Sequence, residues 1–204
     1  IMEASPKELA LLAERLGPRS CRARLDLERR LRENAGRGQG RGLFRLEHRI
    51  DLSRIIRFCL RASLLWDRAQ RNYLDFRVER NEVRLARLPP ALEGLRILHL
   101  SDLHADLHPD FPANLIRTIK PLDYDVVLLT GDYRTCTYSD HSGATSATIE
   151  IAKHFTAPAF AVLGNHDSLA KVPPMEAAGI RFLLNEHAVF ERDGARLYLV
   201  GIDD

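Results

Sequence analysis

Leu95 to His104 reads LRILHLSDLH, a short apolar run that stops at a carboxylate and an imidazole two residues apart. The design recurs further on. Asp125 to Thr130 (DVVLLT) leads into Gly131-Asp132-Tyr133, and Pro158 to Leu163 (PAFAVL) leads into Gly164-Asn165-His166-Asp167. Each run is rich in Val, Leu, Ile or Phe and bounded by polar residues or Gly, which is the pattern of a buried strand. Between them, Phe111 to Leu122 and Asp140 to Phe155 are long enough for crossover helices. Strand, helix, strand, helix, strand predicts a parallel sheet with right-handed connections. All three motifs then fall at carboxyl strand ends, the edge where ligands bind in open α/β sheets because loops converge there.

The residue types at those ends suit hard cations. If strand alternation persists past its end, Asp102 and His104 point the same way and share one metal. Gly131 lets the backbone turn sharply and present Asp132, whose two oxygens can bridge two cations. Asn165 follows a second such Gly, and its amide oxygen can ligate a second ion. His166 beside it stays available for proton work or for contact with a phosphoryl oxygen.

With these strings in order, the chain resembles the calcineurin-like metallophosphoesterase superfamily. That pattern runs Asp-x-His, Gly-Asp, Gly-Asn-His-Asp or Glu, a lone His, then Gly-His-x-His. Leu92 to Asp106 (LEGLRILHLSDLHAD) and Leu129 to Tyr133 (LLTGDY) look like its bacterial branch with a Ser-Asp-Leu-His opening. The resemblance covers residues 76 to 204 and implies a sheet-rich α/β sandwich. It implies Asp102 and His104 on one metal, Asp132 bridging, Asn165 on the second metal and His166 near the leaving group. Asp167 would orient His166 or the loop. The implied activity is hydrolysis of a phosphomono- or diester, in which two divalent ions lower the pKa of a water and neutralise phosphoryl charge. Asp, His and Asn donors without thiolate suit manganese, iron or zinc.

Two departures from the pattern stand out. The chain ends at Gly201-Ile202-Asp203-Asp204, before the lone His and the Gly-His-x-His, and it begins with Ile1 rather than Met. It therefore reads as a C-terminally truncated fragment with an incomplete metal site and sandwich. Thr135 stands three residues after Asp132, where many relatives carry Asp or Asn. That exchange bears on loop orientation, and Arg134 just before it is a candidate contact for a substrate phosphate. His108 reads as a solvated loop residue. Cys21, Cys59 and Cys136 show no paired metal-binding spacing, and Cys136 reads as packing. An odd, sparse cysteine count argues against a disulfide framework and fits a reducing, cytoplasmic setting.

Residues 1 to 93 carry 21 basic and 13 acidic side chains, whereas residues 94 to 204 carry 9 and 15. The net charge of +2 conceals this asymmetry. It sets off a helical, basic N-terminal region, residues 1 to 75, from the phosphoesterase region, 76 to 204. Ser5-Pro6-Lys7-Glu8 is a helix start with a cap, Pro in the first turn and Glu three on. A second helix runs from about Cys21 to Glu33, and the Gly/Arg segment 36 to 42 reads as a flexible linker. Phe76 to Leu85 reads as one or two edge strands. Met175 to Ala178 reads as a short helix, and Arg181 to Leu184, Ala188 to Glu191 and Ala195 to Gly201 as strands, turned at Asn185 and Asp193-Gly194.

Leu52, Ile55, Ile56, Cys59, Leu60 and Leu64 fall on one helical face, opposite Arg54, Arg57, Arg61 and Arg68. Docking of this apolar face on the phosphoesterase domain or a partner is the preferred expectation. Its rival is peripheral contact of residues 50 to 68 with an anionic membrane. No stretch has the roughly 18 to 20 apolar residues that a bilayer span needs, and no signal peptide is evident. The alternative function is an inert phosphoesterase-fold scaffold whose Arg-rich helices bind nucleic acid or another anionic surface. Phe44, Phe58, Trp66, Tyr73 and Phe76 are spread out rather than clustered, which argues against a nucleic-acid partner.

Overall fold

The computed structural model describes residues 4–35, 52–135, 140 and 142–202. The Gly/Arg segment 36–42 and Cys136 lie outside them. Four parallel strands, β1 (Ile97–Leu100), β2 (Val126–Leu129), β3 (Ala159–Ala161) and β4 (Ile180–Phe182), form one sheet in the order β1-β2-β3-β4. Helices α5 (Phe111–Ile119), α6 (Ser142–Ala152) and α7 (Val172–Ala177) connect successive strands. Strands β5 (His187–Arg192) and β6 (Ala195–Val200) form an antiparallel hairpin. The turns are those expected, with Asn185, Asp193 and Gly194 at positive φ.

Strand alternation divides the core. Val127 and Leu129 of β2, with Ala159 and Ala161 of β3, face Leu115, Ile119, Ile151 and Met175 of the helical layer. Their neighbours Val126, Leu128, Phe160 and Val162 face Ala188, Phe190 and Leu199 of the hairpin. A period of two thus buries β2 and β3 on both sides. By contrast β1, expected as a buried strand, is an edge. Leu98 and Leu100 pack inward, while Ile97 and His99 of the opposite face are exposed.

The first two helices belong to this core. α1 (Pro6–Leu16) starts with the expected capping box: Ser5 N–H donates to Glu8 Oε2 (2.7 Å) and Glu8 N–H to Ser5 Oγ (3.4 Å). Gly17, at φ 82°, turns the chain into α2 (Pro18–Ala35). Leu12, Leu16 and Cys21 join the helical-side core. Arg15 locks α1 down, donating to Glu176 of α7, to Glu186 and to the Phe182 carbonyl at 2.8 to 3.0 Å.

The expected helical stripe through Leu64 is two helices, α3 (Leu52–Ala62) and α4 (Trp66–Leu74). Leu64 sits at φ 59°; its N–H donates to Arg61 O (3.1 Å) and Leu65 N–H to Leu60 O (2.8 Å), a Schellman closure. Gly usually fills that left-handed position, so only the bonds betray the break. On the apolar face of α3, Ile55, Ile56, Phe58 and Cys59 are exposed rather than laid on the sheet. Tyr73 and Phe76, at and beyond the end of α4, pack on Phe111.

Residues 76–85 form no strand, contrary to expectation. Val78, Val83 and Leu85 stand exposed among charged neighbours. With too little apolar surface to bury, this stretch gains nothing by adding to a sheet edge.

Candidate metal centre at the strand tips

The three motifs meet, but not by strand alternation. β1 ends at Leu100, and Asp102, His104 and Asp132 all adopt left-handed backbone, at φ 51°, 42° and 53°. That conformation costs a non-Gly residue about 1 kcal/mol or more. Hydrogen bonds between loops hold it: Asp102 N–H to Gly131 O (3.2 Å), His104 N–H to Asp132 O (3.0 Å) and Ala105 N–H to Tyr133 O (2.9 Å). Thr135 joins the same pair of loops by donating N–H and Oγ1 to Asp106 Oδ1 at 2.9 and 2.8 Å.

Gly131 and Gly164 let the second and third loops touch. A Cβ on Gly131, already at φ 95°, would lie 2.4 Å from the Gly164 nitrogen. One on Gly164 would lie 2.3 Å from Asp132 Oδ1, so the missing side chain is the space that the carboxylate occupies. His166 N–H donates to that same oxygen at 3.0 Å.

Asp167 is the knot between these loops. Its buried carboxylate accepts from Asp132 N–H (2.7 Å), Gly164 N–H (3.0 Å) and Tyr133 N–H (3.1 Å). Lys171, fully buried one helical turn on, donates to it at 2.5 Å and lies over the Tyr133 ring. Burial pulls the Lys171 ammonium below its ordinary pKa against the opposing pull of Asp167. Burial likewise raises the Tyr133 phenol well above its usual range, so it stays protonated and donates to Val162 O (2.9 Å).

α2 closes the site from behind. Arg24 donates to Gly164 O (3.0 Å) and Asp167 O (3.3 Å), pairs with Glu28 at 3.5 Å, and Glu28 accepts from Leu169 N–H (3.0 Å). Both side chains are buried. Sequence reasoning passed over Arg24, Glu28 and Lys171. Their signal was the four-residue spacing of Arg24 with Glu28 and of Asp167 with Lys171.

His104 Nδ1 lies 2.8 Å from the Arg134 carbonyl. A carbonyl only accepts, so Nδ1 carries a proton, and in the neutral ring the lone pair is then on Nε2, the tautomer that a metal-ligating imidazole needs. Tyr73 supports the same residue, donating its hydroxyl to His104 O at 3.1 Å; burial, then Asp106, raises its pKa to about 12. The His104 and His166 rings meet edge to face, 5.7 Å between centroids. Asp102 and Asn165 are exposed, and His104, Asp132 and His166 are half-buried. Arg134 is buried, and its Nε donates to the His166 carbonyl. His108 Nδ1 accepts from Asp110 N–H (3.1 Å) within its own loop. Among the described residues, no three His, Cys, Asp or Glu side chains converge closely enough to hold an ion by themselves. The donor types still fit a divalent cation: hard oxygens, an imidazole in the right tautomer, and a cradle cleared by Gly164.

Residues 95–202 match the calcineurin-like phosphoesterase family profile. The chain is also 31% identical over 146 residues to the uncharacterized metallophosphoesterase YkoQ of Bacillus subtilis (strain 168). That alignment takes in 67% of this chain and 53% of the relative, so the chain spans about half the relative's length. Three strand-tip motifs tied together in one parallel sheet, and a profile match spanning them all, give one result: the chain belongs to the calcineurin-like phosphoesterases.

Proposed function

We propose that this chain carries residues of a two-metal site that hydrolyses a phosphomono- or diester. The observation that carries this reading is the His104 tautomer, fixed by the Arg134 carbonyl at the tips where three motif-bearing loops are bonded together. Asp102 and His104 would hold one divalent ion, Asp132 would bridge, and Asn165 would serve the second. When bound, the ions supply charge neutralisation at the phosphoryl oxygens and acidify the attacking water.

The chain's own residues do the remaining work. His166 offers an imidazole to the leaving oxygen, the side chain best able to deliver a proton near neutral pH. Its backbone is held from two sides, N–H by Asp132 and carbonyl by Arg134. Arg134 and Asp167, both buried, position the loops rather than touch substrate.

Hydrolysis of p-nitrophenyl phosphate and bis-p-nitrophenyl phosphate, with manganese supplied and then chelated, tests the activity. Calorimetric titration with Mn²⁺ tests the site independently of turnover. Turnover that requires the metal, with both turnover and Mn²⁺ binding lost in Asp132→Asn, is the expected result. Turnover indifferent to chelation, or unchanged Mn²⁺ affinity in the variant, would sink the assignment.

A further inference from the structure

We propose that the α3–α4 hairpin is a docking surface for an anionic lipid bilayer. Residues 52–71 contain five arginines and a single acidic residue, Asp67. At about 100° per residue, Ile55, Ile56, Phe58 and Cys59 share a wide apolar arc of α3, with Arg57 and Arg61 on the remainder. That arc is open to solvent: Phe58 is 72% exposed, and Leu64, at the protruding turn, 90%. Leu65 extends the patch beyond the turn. Contiguous exposed apolar surface of this kind marks an interaction site.

The charge decides the occupant. α3 has no carboxylate of its own, so Arg57 and Arg61 have no acidic neighbour within the helix. A second copy seated on this face would bring two sets of arginines together, with Asp67 the single carboxylate within residues 52–71 to offset them. A phosphate-bearing leaflet neutralises them and accepts the apolar arc at the same depth. The guanidiniums of Arg61 and Arg57 lie 5.0 and 5.9 Å from the Trp66 ring, so an aromatic of the kind that favours a membrane–water boundary sits beside the charges. No described helix is long and apolar enough to cross a membrane.

The anchor is tied to the strand tips. α4 is nine residues, about 13 Å long, and at its far end Tyr73 bonds the His104 carbonyl. Docking would therefore hold the loops of the candidate metal centre close to the lipid headgroups. This surface does not depend on whether that centre is active.

The chain has one tryptophan, so Trp66 emission reports the contact directly. The chain is titrated with vesicles of phosphatidylcholine mixed with phosphatidylglycerol and with phosphatidylcholine vesicles alone, and binding is checked by co-sedimentation. A blue shift and sedimentation with the anionic vesicles only is the expected result. Phe58→Asp with Leu64→Asp should weaken binding at least about tenfold, and Arg57→Gln with Arg61→Gln about fivefold per arginine. Thermal melting of both double variants should match the parent, because these side chains are exposed. Absence of vesicle binding, equal binding to neutral vesicles, or undiminished binding by the Phe58/Leu64 variant overturns the proposal. So does a dimer that Leu64→Asp dissociates in a protein with no vesicle affinity.

Discussion

Two arginine-rich helix pairs, α1–α2 and α3–α4, come from the same basic third of the chain and meet opposite fates. Arg15 and Arg24 are spent inside the fold, on Glu176, Glu186, Glu28 and the carbonyls of Phe182, Gly164 and Asp167. Arg57 and Arg61 stay exposed beside Trp66. Arginine content does not tell the pairs apart. What separates them is whether acceptors lie within reach: α2 brings its own carboxylate four residues on and meets a loop of bare carbonyls, and α3 brings none. A buried guanidinium persists only when its donors are matched.

The sharpest way to break this contrast is at the knot that α2 supports. Asp167→Asn leaves Lys171 buried without its counter-charge and weakens three backbone bonds. It should cost about 3–5 kcal/mol in urea unfolding. Asp167→Asn combined with Lys171→Met should cost less than the sum of the two single changes, because the pair is coupled. A single-variant loss under about 1 kcal/mol would mean that the knot contributes little to the fold.

Arg24→Met should follow, at about 2–4 kcal/mol, since it removes the guanidinium that pairs with buried Glu28 and uncouples the Gly164 and Asp167 carbonyls. Because those carbonyls belong to the loop carrying Asn165, Mn²⁺ affinity should drop about tenfold or more as well. Arg24→Lys should not restore it, as a single ammonium cannot stand in both for Nη2, which reaches both carbonyls, and for Nε, which faces Glu28. Stability loss with unchanged Mn²⁺ affinity would make α2 a packing element only.

A smaller effect is expected at Arg15, whose partners are partly exposed. Arg15→Met should cost about 1 kcal/mol near neutral pH. The Arg15 guanidinium holds the Glu186 carboxyl below its ordinary value of 4.5. A depressed folded pKa contributes stability above the unfolded value and loses it as pH falls through the folded one. The gap between parent and variant should therefore narrow in acid, and a gap that widened there would reverse the assignment. At the other end of the comparison, Arg57→Gln with Arg61→Gln should leave unfolding within about 0.5 kcal/mol of the parent. A larger loss would show that α3 is part of the folded core after all.

Much of the sheet was legible because each strand carries its own signal. The runs ending at Leu100, Thr130 and Leu163 contain β1, β2 and β3, and Gly131 and Gly164, which follow the second and third, mark tips where only a residue without Cβ fits. The capping box at Ser5 and the turns at Asn185 and Asp193 were equally local. The edge position of β1 was not, because LRILHL reads the same with one neighbour or two. Nor was the break at Leu64, where hydrogen bonds impose a backbone that leucine does not advertise. Phe76 to Leu85 shows the reverse error: a few β-branched residues suggest a strand that has no apolar face to bury.

The sequence by itself determined the parallel sheet, the family, and the donor types at the strand tips, since periodicity and short motifs are properties of neighbouring residues. Tertiary structure alone decided that Asp167 would be the knot between loops, that Arg24 would reach Asp167 and Glu28 the neighbouring Leu169 from over 130 residues away in sequence, and that His104 would present Nε2. Those outcomes depend on which carbonyls and amides are brought within 3 Å or so of a side chain. Hydrogen bonding at that range is set by packing, and packing joins residues that no local pattern connects.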